Sequence, residues 1–425
     1  MTGTVNGKIT YSHNGFFELT GMKVNNRSEI NYEYDRDGLL TKAGDLNITR
    51  SPVHGQIVKS DLGFVTTGRG YTENGELHYE QYNAGRQLYM YVLNEKDSVG
   101  RITFRRDTVE KETEEGKKPV TDEYMYEYNS RGYLQRIYDA ETGTAIFTAS
   151  YDLNGNRTYV YNPHHKYNGG YPLYDSQDRL LSYGDYRYEY TEHGALSKKR
   201  DVNGTPFDQA DDTFTAYSYD HGGNLLKVNL PNNDEIRYTS DALNRRIAKQ
   251  VNGTYEYKLL YSGQLSPIAR LDADSRVVEE YVYGSRVNVP EYMIKDSRKY
   301  RFITDHRGSV RMVVDTHTGE VMQRTDYDEF GLIIDETLAE NWTPVLFGYA
   351  GGLQDRDTGL VRFGARDYDP MVGRWTSKEP LGFNGSSNFY VYAENDPVNF
   401  VDVNGLAPYK CSSLEDAVLN GSSDI

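Results

Sequence analysis

The carboxylates of Asp369-Pro370 and Asp396-Pro397 could act as acids or bases, although the simpler role of an Asp-Pro pair is to form a turn. His164-His165 could offer imidazole to a metal. Adjacent strand residues face opposite ways, however, and neither a cysteine nor a third histidine stands nearby. Asp152-Leu153-Asn154-Gly155-Asn156 opens like a calcium-binding loop, but the sixth position, where the sharp turn needs Gly, holds Arg157. The sequence has no Gly-rich phosphate loop, no Gly-x-Ser-x-Gly elbow and no His-Glu-x-x-His. Neither a metal nor a cofactor is expected. The sequons Asn203-Gly204-Thr205 and Asn252-Gly253-Thr254 are more simply Asn-Gly turns than glycosylation sites.

The elements that must position any such group are set by a repeat. Tyr outnumbers Phe 39 to 14, and many tyrosines sit in one unit: Tyr, Asp or Asn, two or three residues, Gly, then Leu or Arg. Tyr34-Asp35-Arg36-Asp37-Gly38-Leu39, Tyr128-Asn129-Ser130-Arg131-Gly132, Tyr151-Asp152-Leu153-Asn154-Gly155 and Tyr219-Asp220-His221-Gly222-Gly223 are the clearest copies. Looser ones begin at Tyr174, Tyr190 and Tyr327. From Tyr128 to Tyr151 to Tyr174 the step is 23 residues each time, as in repeat proteins whose units stack on their neighbours. The triplets Tyr124, Tyr126, Tyr128 and Tyr186, Tyr188, Tyr190 alternate with period two, so each lines one face of a strand. Packing in the sheet is the expected role of that face, ahead of stacking on sugars. The polar Gly-containing cluster after each triplet supplies the positive φ of a hairpin turn. The fold class expected is all-β: antiparallel hairpins in a long sheet that curls because strands twist. With few strands for a wide cavity, it should form an open or partly filled scroll.

A hydrophobic fraction of 37% and a mean hydropathy of −0.75 argue against a dense aliphatic core, so tyrosine must supply much of the buried area. The formal charge of −16 opposes binding to nucleic acid or an anionic membrane. No run approaches the roughly 18 apolar residues of a membrane span, and the lone Cys411 rules out an internal disulfide. Residues 105–122 are charged and interrupt the repeat, which predicts an exposed loop or hairpin extension; residues 200–212 are similar. The best helix signal is Ser413 to Leu419. Arg374-Trp375 is expected to pack as cation over ring.

The last 120 residues add an ordered series. It runs Asp305-His306-Arg307-Gly308, Tyr327-Asp328-Glu329-Phe330-Gly331, Phe347-Gly348-Tyr349-Ala350-Gly351, Arg366-Asp367-Tyr368-Asp369-Pro370, Gly373-Arg374-Trp375 and Asn395-Asp396-Pro397-Val398-Asn399. With the repeats, this series resembles the YD-repeat or Rhs family, which includes polymorphic toxins, the C component of insecticidal toxin complexes and, more distantly, teneurins. The resemblance implies a spiralling β-sheet shell around a C-terminal toxin cargo, here absent or lost, with delivery or secretion components as partners. The compartment stays open between the bacterial cytoplasm before export and a secreted or cell-surface place as part of a larger protein. By the same resemblance, residues 1–284 are the repeat array, 285–345 late repeats and a connector, 346–406 the Rhs-associated core, and 407–425 a short variable tail too small to be an enzyme.

The family's core is similar to an intramolecular aspartic protease acting once per chain, with two carboxylates that share a proton. The matching segments here are Glu379-Pro380-Leu381-Gly382 and Asp402-Val403-Asn404-Gly405. Asp402 fits the second acid; Glu379 stands where the family has Asp. The family's arginine maps onto Arg366 and would favour an ionised carboxylate or steady the oxyanion. The bond cut would be Leu406–Ala407, carried back over Asp402 by a tight turn through Asn404-Gly405. A non-enzymatic adhesion or interaction scaffold of the teneurin kind, or an uncleaved remnant, is the alternative.

Overall fold

A computed structural model describes residues 4–113, 116–165, 169–205 and 210–411. The helix signal at Ser413–Leu419 lies outside the described residues, as do 114–115, 206–209 and the tail after Cys411. Fifteen strands from Ile9–His13 to Gly169–Gly170 pair in sequence order in one sheet. Sixteen more, from Leu173–Tyr174 to Ile333–Leu338, pair the same way in a second. Every pairing is antiparallel between consecutive strands, and neither sheet closes into a barrel. The second sheet passes through residue 284 without a break, continuing into Tyr292–Lys295 and Arg298–Thr304.

Each repeat owes its shape to the same few atoms. In the Tyr128 unit, Asn129 Oδ1 accepts the amides of Arg131 (2.9 Å) and Tyr133 (3.1 Å), and Gly132 takes φ +89°. Asp35, Asp152, Asp175, Asp241, Asp305 and Asp328 accept the same pair of amides, two and four residues on. The strand register slips by one at the tyrosine, as between Glu127 and Tyr128, so the turn ends in a bulge. The tyrosine ring lies inward and its hydroxyl crosses to the neighbouring strand. Tyr34, Tyr71, Tyr128, Tyr151, Tyr261 and Tyr283 donate to the carbonyls of Leu19, Ile57, Ile102, Leu134, Arg246 and Pro267. Tyr151→Phe, which removes the hydroxyl donor to the Leu134 carbonyl, is expected to cost about 1 kcal/mol in urea denaturation.

The inner faces pack on one another. One buried cluster joins Tyr82, Tyr89, Tyr91, Tyr126 and Leu134 of the first sheet to Tyr188, Tyr217, Val228 and Met312 of the second. Another joins Met22, Ile30, Leu46 and Ile57 to Leu260, Ile268, Val282 and Tyr292. Tyrosine supplies much of this core, as expected. Unforeseen are the ion pairs within it: Arg69–Glu80 at 2.7 Å, Arg246–Asp367 at 2.8 Å and Arg307–Asp305 at 2.8 Å, all with both side chains almost fully buried.

Several local expectations change. Residues 105–113 and 116–122 pair as the two arms of a hairpin extension, but it is exposed on one face only: Arg105, Asp107 and Val109 are buried, because this face meets Arg311 and Glu329. His165, in the loop after Asn162, is buried against Tyr183 and Asp328. The cation over the Trp375 ring is Arg366, 4.0 Å from its centroid, whereas Arg374 stacks on Tyr174. Asn203-Gly204 and Asn252-Gly253 are turns with positive φ at both residues.

Candidate self-cleavage site

After Leu338 the chain leaves the second sheet and forms a small four-stranded sheet: Leu353–Gln354, Val361–Phe363, Arg366–Asp369 and Arg374–Trp375. Its aromatic interior, with Tyr349, Phe363, Tyr368, Trp375 and Tyr392, is fully buried. This segment is bolted to the turns of successive repeats. Asn395 Nδ2 donates to Gly155 O (2.9 Å), Tyr390 Oη to Gly194 O (2.8 Å), and Arg362 Nη2 to Asn224 Oδ1 (2.9 Å). Asp367 accepts both Arg246 and Arg362.

Arg366 stands at the start of a short strand with its guanidinium lying over Trp375. Its Nη2 reaches Glu379 Oε2 at 2.6 Å and Asp402 Oδ2 at 3.1 Å, and all three side chains are almost wholly buried. Its Nε donates to Gly405 O at 2.6 Å and its Nη1 to Phe389 O at 3.3 Å. The three residues expected to act together, separated by up to 36 positions, therefore meet at one guanidinium. The second oxygen of Asp402 accepts the amide of Leu406 at 3.0 Å. Gly405 sits at φ +69°, and a Cβ there would come within 2.4 Å of Phe363 O, so glycine is required for the turn that returns the Leu406 amide to Asp402. Room for the longer acid at 379 comes from Gly385, whose added Cβ would lie 2.6 Å from the Glu379 carboxyl carbon.

Burial raises the Asp402 carboxyl, against the pull of Arg366 and of the backbone amides at 405–407. It raises Glu379 too, opposed by Arg366 and the Leu381 amide and helped by the charge of Asp402. Two carboxylates against one guanidinium leave an excess negative charge in a dry site, and one proton neutralises it.

Asp369 and Asp396 serve the turns they begin. Asp369 Oδ1 accepts Met371 N at 3.0 Å, and both Asp396 oxygens accept Asn399 Nδ2 at 2.9 Å. Burial pushes Asp396 up to about 7. A carboxyl raised in the fold stabilises it below its unfolded value and loses that stabilisation as pH climbs through the folded one. Between about pH 5 and about pH 7 the wild type is expected to lose roughly 2 kcal/mol that Asp396→Asn does not lose, read from urea denaturation at the two pH values.

Asn404, expected only to form the turn, does more. Its Oδ1 accepts the amides of Leu406 (3.0 Å) and Ala407 (3.3 Å), and its Nδ2 donates to Tyr409 Oη (3.1 Å). An Asn two residues before an amide it can accept is the local signal that was available. Beyond the turn, Tyr409–Lys410 pairs antiparallel with Phe400–Val401.

A family model described as Teneurin YD-shell matches residues 1–398. The chain belongs to the teneurin YD-shell family. Among curated relatives, this YD-shell is 26% identical to human teneurin-4 over 413 residues, 93% of this chain and 14% of teneurin-4. It is 30% identical over 358 residues, 70% of this chain and 24% of the relative, to double-stranded DNA deaminase toxin A of Burkholderia cenocepacia. The crystal structure of TcdB2-TccC3-Cdc42 shares the fold at a TM-score of 0.66 and 19% identity, over 94% of this chain and 22% of that one. The YD-shell thus spans less than a quarter of the length of each of these relatives.

Proposed function

We propose that this YD-shell hydrolyses its own chain once, between Leu406 and Ala407, and that the polypeptide beyond the cut is a cargo that curled YD sheets enclose, handed on by delivery components. What supports the reading is one observation: Arg366 holds Glu379 and Asp402 together while the free oxygen of Asp402 takes the Leu406 amide. One acid of the pair withdraws a proton from water as its oxygen bonds to the Leu406 carbonyl carbon, and the protonated acid donates to the carbonyl oxygen. Collapse of the tetrahedral carbon breaks the bond to Ala407, whose nitrogen takes up the proton won from water, while the acid that protonated the carbonyl oxygen takes its proton back. Arg366 keeps the unprotonated acid ionised. The relative named as a deaminase toxin gives the cargo its context.

Intact-mass measurement on the purified full chain tests this. The expected result is loss of residues 407–425 from the main species and a fragment whose N-terminus is Ala407. A chain still whole after prolonged incubation overturns the cleavage reading. The scaffold reading then stands, favoured by likeness to teneurin-4 over 93% of the chain and by Glu at position 379.

A further inference from the structure

We infer that Asn404 is a positioning residue for this cleavage, a side chain that grips the peptide bond to be broken from its own turn. The inference rests on the self-cleavage reading. Its oxygen is the common acceptor for the amides on both sides of the Leu406 carbonyl, at 3.0 Å from Leu406 N and 3.3 Å from Ala407 N. The second of these is the nitrogen that leaves. The side chain is fixed at its far end as well, through Nδ2 to the Tyr409 hydroxyl. Its main chain is pinned by Ala365 N donating to Asn404 O at 2.9 Å. Gly364 permits that approach, since a Cβ at 364 would lie 2.3 Å from the same oxygen.

The chemistry explains why such a grip helps. A planar peptide nitrogen is a poor leaving group, because its lone pair is shared with the carbonyl. When water oxygen adds to the Leu406 carbon, the nitrogen becomes pyramidal and basic and must present its lone pair to a proton before the bond breaks. An N–H held by Asn404 cannot swing, so the lone pair emerges on the side away from Asn404. Leu406 N is shared between Asp402 Oδ1 and Asn404 Oδ1, and this fixes the carbonyl carbon relative to the acid that activates water. Misplacement of reacting atoms by about 1 Å can cost around 100-fold.

The test compares Asn404→Leu, which keeps the size and loses the acceptor, with Asn404→Asp, which keeps an oxygen for both amides. Each full-length chain is synthesised in a cell-free system, and the cut fraction is followed by intact mass beside a melting curve. Asn404→Leu is expected to cut at least about 10-fold more slowly than wild type with little change in melting. Asn404→Asp is expected to recover most of the rate. Equal rates for the wild type and Asn404→Leu overturn the inference while leaving self-cleavage intact. So do equally slow rates for the two variants, which would mark Asn404 as a support of the turn alone. A wild-type chain that never cuts removes the reading itself, and this inference with it.

Discussion

Asp402→Asn is expected to leave the Leu406–Ala407 bond whole, slowing the cut by at least about 100-fold, the usual scale of a lost general acid or base. The asparagine can still accept the Leu406 amide, so the turn is kept while the ionisable group is lost. Glu379→Gln is expected to slow cleavage to a similar degree, and the double variant little further, because the two acids act as one unit. Glu379→Asp is the sharper probe. Arg366 Nη2 lies 2.6 Å from the Glu379 carboxylate, and Gly385 clears space for the long side chain. Shortening it withdraws the carboxylate by about 1 Å, so the family's usual acid is expected to be slower here than the Glu this chain carries. The pH dependence has a sign. Cleavage needs one proton on the pair, and burial raises both carboxyls. The rate is therefore expected to fall as pH rises past the upper of the two macroscopic values, read from the cut fraction over a pH series.

The largest loss of stability is expected from Arg307→Met. Arg307 is wholly buried; its Nε and Nη2 bind Asp305 Oδ2 at 3.1 and 2.8 Å, and its Nη1 donates to Glu329 O at 3.2 Å. Its charge holds the Asp305 carboxyl well below the usual range, against burial. The guanidinium also lies 5.4 Å from the centre of the Tyr349 ring, so it joins the second sheet to the aromatic interior of the small sheet. Methionine fills the volume and strands a carboxylate in a dry interior, at a cost of about 3–5 kcal/mol. Adding Asp305→Asn should recover a large part of that loss; a double-mutant cycle by denaturant unfolding reads the coupling. Two independent losses that simply add would mean that the pair does not act as a unit. Because Asp305 is depressed in the fold, the stability it contributes is present above its unfolded value and is lost as pH falls through the folded one.

What the residues alone reveal follows from how local each device is. The Asp or Asn of a repeat bonds amides two and four residues away, and the tyrosine closes on the adjacent strand, so Tyr-Asp-x-x-Gly in the sequence already contains strand, turn and bulge. The curl of an open sheet follows from strand twist. The charged interior was not legible. Arg246 meets Asp367 across 121 positions and Lys249 meets Asp355 across 106, and a charged residue looks the same in sequence whether it ends in solvent or on a buried partner. Arg105 and Asp107 are buried for the same reason in a stretch whose charge points to exposure. At the site, Arg366, Glu379 and Asp402 were reachable only through resemblance, since nothing in their spacing says that a single nitrogen will serve both acids. Asn404 was in view as a turn residue, and its second task depends on where the turn lies.

The short ladder between Phe400–Val401 and Tyr409–Lys410 straddles the Leu406–Ala407 bond. Hydrolysis would open a loop whose two ends stay zipped, with Cys411 N still donating to Asn399 O at 2.9 Å. The cut would then leave a nick bridged by this ladder, and the departure of the fragment would wait on opening it as well as on hydrolysis.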